Sequence, residues 1–159
     1  HKMTNDDWNN SIDVNLNGVF NCTSAVINSM REQNFGRIVN IASTSALKGY
    51  AYVSGYCASK HAVLGLTRAL ALETALSGIT VNAICPGYTD TSIISDGVKV
   101  IAEKTGRTAE QALQAFTKTN PQQRLITPIE VANTVLWLCD QHSQSITGQA
   151  LSLSGGEVM

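Results

Sequence analysis

The 159 residues are 43% hydrophobic and only 14% charged, with a formal net charge of −1. That apolar share excludes wholesale disorder, and the near-neutral charge excludes the basic footprint of a nucleic-acid binder. The longest apolar runs are strand-length and interrupted, so no membrane span is expected, and the opening HKMTNDDW has no apolar signal-peptide core. Length implies one domain. So few charges point to buried helices, to a subunit interface, or to both.

Thr4 with Asp7 forms a capping-box-like start. From Asn5 to about Gln33, Trp8, Ile12, Leu16, Val19, Phe20, Val26, Ile27 and Met30 recur at helical spacing, which predicts one long helix ended by Gly36. Arg37–Ala42 reads as a buried strand and Ser43 to about Tyr52 as a loop. A second long helix, about Val53 to Leu76, is apolar almost all round and needs cover on more than one side. Gly78 ends it, and Ile79–Cys85 is a second buried strand stopped by Pro86-Gly87. Residues 88–107 read as irregular and mobile. Thr108 with Gln111 opens a helix to about Thr119, and Thr127-Pro128-Ile129-Glu130 opens another to about Asp140. Gln149–Leu153 is the last strand, followed by Gly155-Gly156.

Continuous apolar strands alternating with helices predict a parallel α/β sheet. Only three strands are visible, and the chain holds no G-x-G-x-x-G or P-loop. The pattern is that of the C-terminal half of a Rossmann-like, doubly wound fold. Cys22, Cys57, Cys85 and Cys139 lie far apart and are expected to be free, mostly buried thiols. His1, His61 and His142 lack metal-ligand spacing, so no metal site is expected. Asn21-Cys22-Thr23 is a formal glycosylation sequon inside a predicted helix and is read as accidental.

The chemistry-bearing residues gather at strand ends. Tyr56 and Lys60, spaced i, i+4 at the start of the second long helix, share one face. An ammonium near a phenol favours the phenolate, and a tyrosine so tuned can pass a proton to or from a substrate oxygen. Taken alone the pair is more readily an ordinary surface helix pair. Ser43 ends the first strand 13 residues before Tyr56, and Pro86-Gly87 ends the next. Ligands of open α/β sheets bind beyond such carboxyl ends.

With those residues in place, the segments DVNLNGVF (13–20), GRIVNIAS (36–43), YCASK (56–60), VNAICPGYTDT (81–91) and ITGQALSLSGG (146–156) together resemble the short-chain dehydrogenase/reductase family. The likeness is to its compact single-domain branch, near 3-oxoacyl reductases and 3-hydroxybutyrate-type dehydrogenases. The resemblance implies hydride transfer between NAD or NADP and a carbonyl or secondary alcohol. It makes Tyr56 the general acid/base and Lys60 the group that tunes it and holds the nicotinamide ribose. Ser43 orients the substrate oxygen. Asn15, with Asn17 as a near decoy, positions a water in the proton relay. Ile41, Pro86, Gly87, Thr89 and Thr91 serve the cofactor. Ser45, Tyr50, Tyr52 and Tyr88 flank the substrate pocket, and residues from about Thr91 to Leu125 form its lid. Lys99, Lys104, Arg107 and Lys118 on that lid would suit a hydroxyacyl thioester, or form a solvated face.

The same resemblance implies that the N-terminal dinucleotide-binding half lies outside these residues, making 1–159 the C-terminal catalytic portion, inactive alone. It further implies a cytoplasmic homo-oligomer, dimer or tetramer, acting on a small molecule with no nucleic-acid or membrane partner. Two other readings stand beside it: a non-catalytic fragment or interaction module of the same fold, and the sugar-nucleotide epimerase/dehydratase branch that shares Y-x-x-x-K.

Overall fold

The computed structural model describes residues 2–159; His1 lies outside them. The chain opens with α1 (Asn5–Ile12), capped by Thr4 and Asp7, and continues through a π turn (Asp13–Asn17) into α2 (Gly18–Glu32). The single helix expected over 5–33 is therefore interrupted. The cause is local: the Asn15 side-chain amide takes the Ser11 carbonyl at 3.0 Å, and the Gly18 N–H reaches back to Asp13. A side chain inserted into the ladder widens one turn.

Three parallel strands follow, β1 (Gly36–Ile41), β2 (Ile79–Pro86) and β3 (Ala150–Leu153), side by side in that order. The register pairs Ile41 with Ile84 and Pro86 with Leu153, so the carboxyl ends of all three strands fall on one rim. The crossover from β1 to β2 runs through α3 (Ser54–Glu73). The second crossover uses α4 (Ser92–Thr105), α5 (Ala109–Thr117) and α6 (Pro128–Cys139). The irregular stretch expected over 88–107 is thus mostly helical. Gly97 and a run of β-branched residues weaken its intrinsic helix signal, and packing supplies the rest: a Cβ at Gly97 would lie 2.9 Å from the Phe116 ring of α5.

The core sits between α3 and the sheet. Val63 and Leu64 pack on Ala42, Ala46, Ala83 and Cys85, and Ala71 joins Ile38, Ile79 and Val81. Burying one such branched side chain contributes about 1.5–3 kcal/mol. The two buried asparagines of the sheet are paired: Asn40 Nδ2 donates to Thr67 Oγ1 at 2.8 Å, and Asn82 both donates to the Ile146 carbonyl and accepts from the Gln149 N–H; Arg37 Nε is buried without a partner among the described residues. Gly78 closes the turn into β2 with φ +63°, where a Cβ would sit 2.1 Å from the Asn34 carbonyl oxygen. The outer side of the last turn of α3 and the turn after it are bare, with Leu72 82% and Leu76 100% exposed. All four cysteines are free; Cys57 and Cys85 are buried, whereas Cys22 and Cys139 are exposed, so only half match the buried expectation. Among the described residues no helix is long and apolar enough to cross a membrane, and no His/Cys/Asp/Glu cluster could hold a metal.

Candidate active site

The rim formed by the strand ends opens into a cavity of ≈ 550 Å³. Ser43, Ser45, Tyr50, Tyr56 and Lys60 line one side, and Ile41 sits at the end of β1. Pro86, Gly87, Tyr88, Thr89 and Thr91 line the other. Three separated sequence segments are brought together here because β1 and β2 are in parallel register and α3 starts where β1 ends.

Lys60 anchors this arrangement. It is buried in α3, and its Nζ donates to the Ile41 carbonyl at 3.0 Å. One of the three ammonium donors is thus committed, which fixes the side chain and leaves two for a ligand. Burial pushes its pKa below the usual lysine value, an effect that nearby Cys85 opposes. Nζ lies 5.6 Å from the centroid of the Tyr56 ring. Tyr56 itself stands at the mouth, 38% exposed, one turn earlier on the same helix face. Ser43 has an extended backbone, and its Oγ accepts the Ser45 N–H at 3.1 Å. That contact uses a lone pair of the hydroxyl and not its proton. Burial raises the pKa of the Cys85 thiol behind it, against the lowering pull of the Ser43 N–H.

Asn15 is not on the cavity wall. It is half-buried in the π turn, whereas Asn17 faces solvent and donates to Asp13. The geometry separates the residue from its decoy, since only Asn15 engages the Ser11 carbonyl. Ser11 Oγ in turn donates to Ser59 Oγ at 3.4 Å, and Ser59 Oγ donates to the Tyr56 carbonyl at 2.9 Å. The π turn is thereby linked to the first turn of α3.

Thr89 Oγ1 donates to the Gly87 carbonyl and Thr91 Oγ1 to the Thr89 carbonyl, which leaves hydroxyl lone pairs as acceptors along that wall. Tyr88 packs edge-on against Phe116 with centroids 5.2 Å apart, joining the cavity to α5. Tyr52 departs from expectation. It has φ +69° and is wholly exposed, on the outside of the loop that leads into α3. Lys99, Lys104, Arg107 and Lys118 are all exposed and none lines the cavity, so they form a solvated face.

Two functional neighbours carry no local sequence signal. Gly55, the residue before Tyr56, is buried under α1: a Cβ there would lie 3.1 Å from Met3 Cε. Glu157, the residue directly after Gly155-Gly156, folds back behind the cavity wall and accepts from the hydroxyl of the lining Tyr50 at 2.7 Å. Burial lifts the Tyr50 phenol well above the usual range, an effect Glu157 reinforces and the Thr44 hydrogen bond opposes. Burial and Glu157 raise Tyr88 in the same way.

The family model described as enoyl-(acyl carrier protein) reductase matches residues 1–157. The chain is similar to an acetoacetyl-CoA reductase of Shinella zoogloeoides, 44% identical over 99% of this chain and 61% of the relative. It is also similar to a D-β-hydroxybutyrate dehydrogenase of Rhizobium meliloti, 38% identical over 95% of this chain and 59% of the relative. Among solved structures, a variant actinorhodin polyketide ketoreductase with NADPH matches with a TM-score of 0.91 and 38% identity, covering 98% of this chain and 60% of that one. The chain therefore spans about three fifths of the length of these relatives. The α/β architecture, with a parallel sheet flanked by helices, is the Rossmann-like arrangement of these neighbours.

Proposed function

Since the chain belongs to the short-chain dehydrogenase/reductase family, we propose that residues 1–159 are the C-terminal catalytic portion of an NAD- or NADP-dependent oxidoreductase. It interconverts a carbonyl and a secondary alcohol, with a 3-oxoacyl or 3-hydroxyacyl compound as substrate. The observation that carries this reading is Lys60 Nζ, pinned to the Ile41 carbonyl at 3.0 Å beneath Tyr56, with Ser43 on the same cavity wall.

The residues present fit the nicotinamide half of a dinucleotide. Lys60 has two uncommitted donors for ribose hydroxyls, Thr89 and Thr91 offer lone pairs to a carboxamide, and Pro86-Gly87 lines the cavity between them. When bound, the nicotinamide supplies or receives the hydride. The protein handles the oxygen. Ser43 donates a hydrogen bond to the substrate oxygen and orients it, keeping its proton. Tyr56 passes its phenolic proton to that oxygen as the carbonyl becomes an alcohol, and takes it back in the reverse direction. Lys60 stabilises the oxyanion left on Tyr56 by Coulomb attraction inside a partly dry site. Asn15, joined to α3 through Ser11 and Ser59, positions a water that returns a proton toward Lys60.

The names of the relatives support the acyl substrate class: acetoacetyl-CoA reductase on one side and D-β-hydroxybutyrate dehydrogenase on the other. Free thiols suit a cytoplasmic location. The bare Leu72 at the end of α3 and Leu76 in the turn after it, with exposed Leu136 and Trp137 on α6, suit a homo-oligomer. The test is consumption of reduced nicotinamide dinucleotide by the whole protein on addition of acetoacetyl-CoA. Substrate-dependent consumption is expected; a protein that binds the dinucleotide yet oxidises none with any 3-oxoacyl thioester would overturn the reading.

A further inference from the structure

The tail after β3 is folded back on itself. Gly155 and Gly156 take φ +62° and +95°, the Glu157 N–H donates to the Ser154 carbonyl, and the Val158 N–H donates to Ser154 Oγ. A Cβ at Gly155 would lie 2.0 Å from Asn120 Oδ1, so the turn admits only glycine there. The result is that Glu157 points inward, its side chain only 3% exposed. Its Oε1 accepts from Tyr50 Oη at 2.7 Å and pairs with Lys48 Nζ at 3.2 Å. A Cβ placed on Gly87, on the opposite wall, would be 3.5 Å from Oε2.

This arrangement decides what the Tyr50 wall offers a substrate. Tyr50 Oη has one proton, committed to Glu157 at the shorter distance; the Thr44 hydroxyl, 2.9 Å away, can then donate to the phenol oxygen. The hydroxyl therefore has no donor left for a substrate, and Tyr50 presents its ring. Lys48 Nζ lies 4.9 Å from that ring, but its charge is neutralised by Glu157. A second carboxylate brought to this wall would lie near the charge of Glu157 behind Tyr50, whose partner Lys48 is already paired, while Lys60 is held on the Tyr56 side by the Ile41 carbonyl; like charges in a partly dry cleft repel strongly.

We propose that Glu157 is a specificity-determining residue that, by capturing Lys48 and the Tyr50 hydroxyl, restricts the Tyr50 wall to uncharged acyl groups. The site thus accepts 3-oxoacyl thioesters and rejects free 3-oxo acids. This rests on the reductase reading above and sharpens it.

The experiment measures kcat/KM for acetoacetyl-N-acetylcysteamine, a neutral thioester, and for acetoacetate in the wild type, E157Q and the double variant E157Q/K48M. Calorimetric Kd values for acetoacetate are taken in parallel. The wild type is expected to prefer the thioester. Glu157→Gln keeps an oxygen for Tyr50 but releases Lys48, so the preference should shift toward acetoacetate by roughly tenfold or more, mostly in KM, with a matching fall in Kd. Adding Lys48→Met should cancel that gain. A merely structural Glu157 would depress both substrates together and leave their ratio alone, and an unchanged ratio and Kd in E157Q would overturn the proposal. Absence of turnover in every protein, with a Kd for acetoacetate that still tightens in E157Q and relaxes in the double variant, would remove the reductase reading while upholding the charge selection.

Discussion

The two crossovers of the sheet are built differently. The first, β1–α3–β2, carries a buried face along the helix: α3 buries Gly55, Cys57, Ser59, Lys60, Val63, Leu64, Thr67 and Ala71. The three helices of the second, β2–α4–α5–α6–β3, each bury a single residue, Ile94 in α4, Ala112 in α5 and Leu138 in α6. Tyr56 and Lys60, the residues proposed to handle the proton, stand on the first. Tyr88, Thr89, Thr91, Ile93 and Ile94 bring the second to the facing cavity wall. Thinly buried elements open at low free-energy cost, which suits admission and release. Rigidity has been placed where distance matters and looseness where passage matters.

The sharpest way to test this division is to remove the chemistry without touching the scaffold. Tyr56→Phe is expected to lower kcat by about 10²–10⁴-fold, the usual cost of losing a positioned proton donor, with an unchanged melting curve. A comparable fall in stability would mean that Tyr56 is structural. The converse change strikes the scaffold of the first crossover. Gly78→Ala forces a left-handed residue, about 1–2 kcal/mol, and drives a Cβ into the Asn34 carbonyl, with overpacking of about 1–3 kcal/mol. Denaturant midpoints should fall while the KM of the surviving folded enzyme is unchanged; a KM effect would blur the contrast.

The second crossover should respond in the opposite sense. Phe116→Ala removes the edge-on partner of Tyr88 and the ring that fills the notch at Gly97. Loss of one aromatic pair, about 0.5–1.5 kcal/mol, predicts a KM rise of about two- to tenfold with kcat little changed. Equal falls in kcat would show that the lid helices hold the catalytic groups after all. The smallest effect concerns pH. The Glu130 carboxyl at the start of α6 is held down to about 2 by the Arg124 guanidinium and the Thr127 N–H and hydroxyl. A depressed folded pKa stabilises the ionised form, so its contribution is complete above the unfolded value near 4.5 and disappears as pH falls through about 2. The pair is exposed, so salt should screen it, and Glu130→Gln should flatten this part of the acid-stability curve.

The strands, most helix starts and the Tyr56–Lys60 pair were legible in the sequence because their signals are local. Continuous apolar strands, the caps at Thr4, Thr108 and Thr127, and an i, i+4 Tyr–Lys pair all report on neighbours a few residues away. What escaped was set by contacts distant in sequence or by an atypical side-chain bond. Helix α4 is hidden by Gly97, whose missing side chain makes sense only beside Phe116. The π turn follows from one amide taking one carbonyl, a choice that Asn15 and Asn17 offer equally on paper. The loop places Tyr50 inward and Tyr52 outward, a difference made by Glu157 more than a hundred residues away. No periodicity encodes such a partner.

The central claim is that the cavity at the strand ends moves hydride to a carbonyl carbon while Tyr56 moves the proton. The most direct measurement is mass spectrometry of the product formed from a 3-oxoacyl thioester with NAD(P)H deuterated at the transferable nicotinamide position. The account predicts one deuterium on the carbinol carbon with the wild type, and the same product at a rate lower by about 10²–10⁴-fold with Tyr56→Phe. A product without that deuterium, or Tyr56→Phe turning over at the wild-type rate, would contradict it.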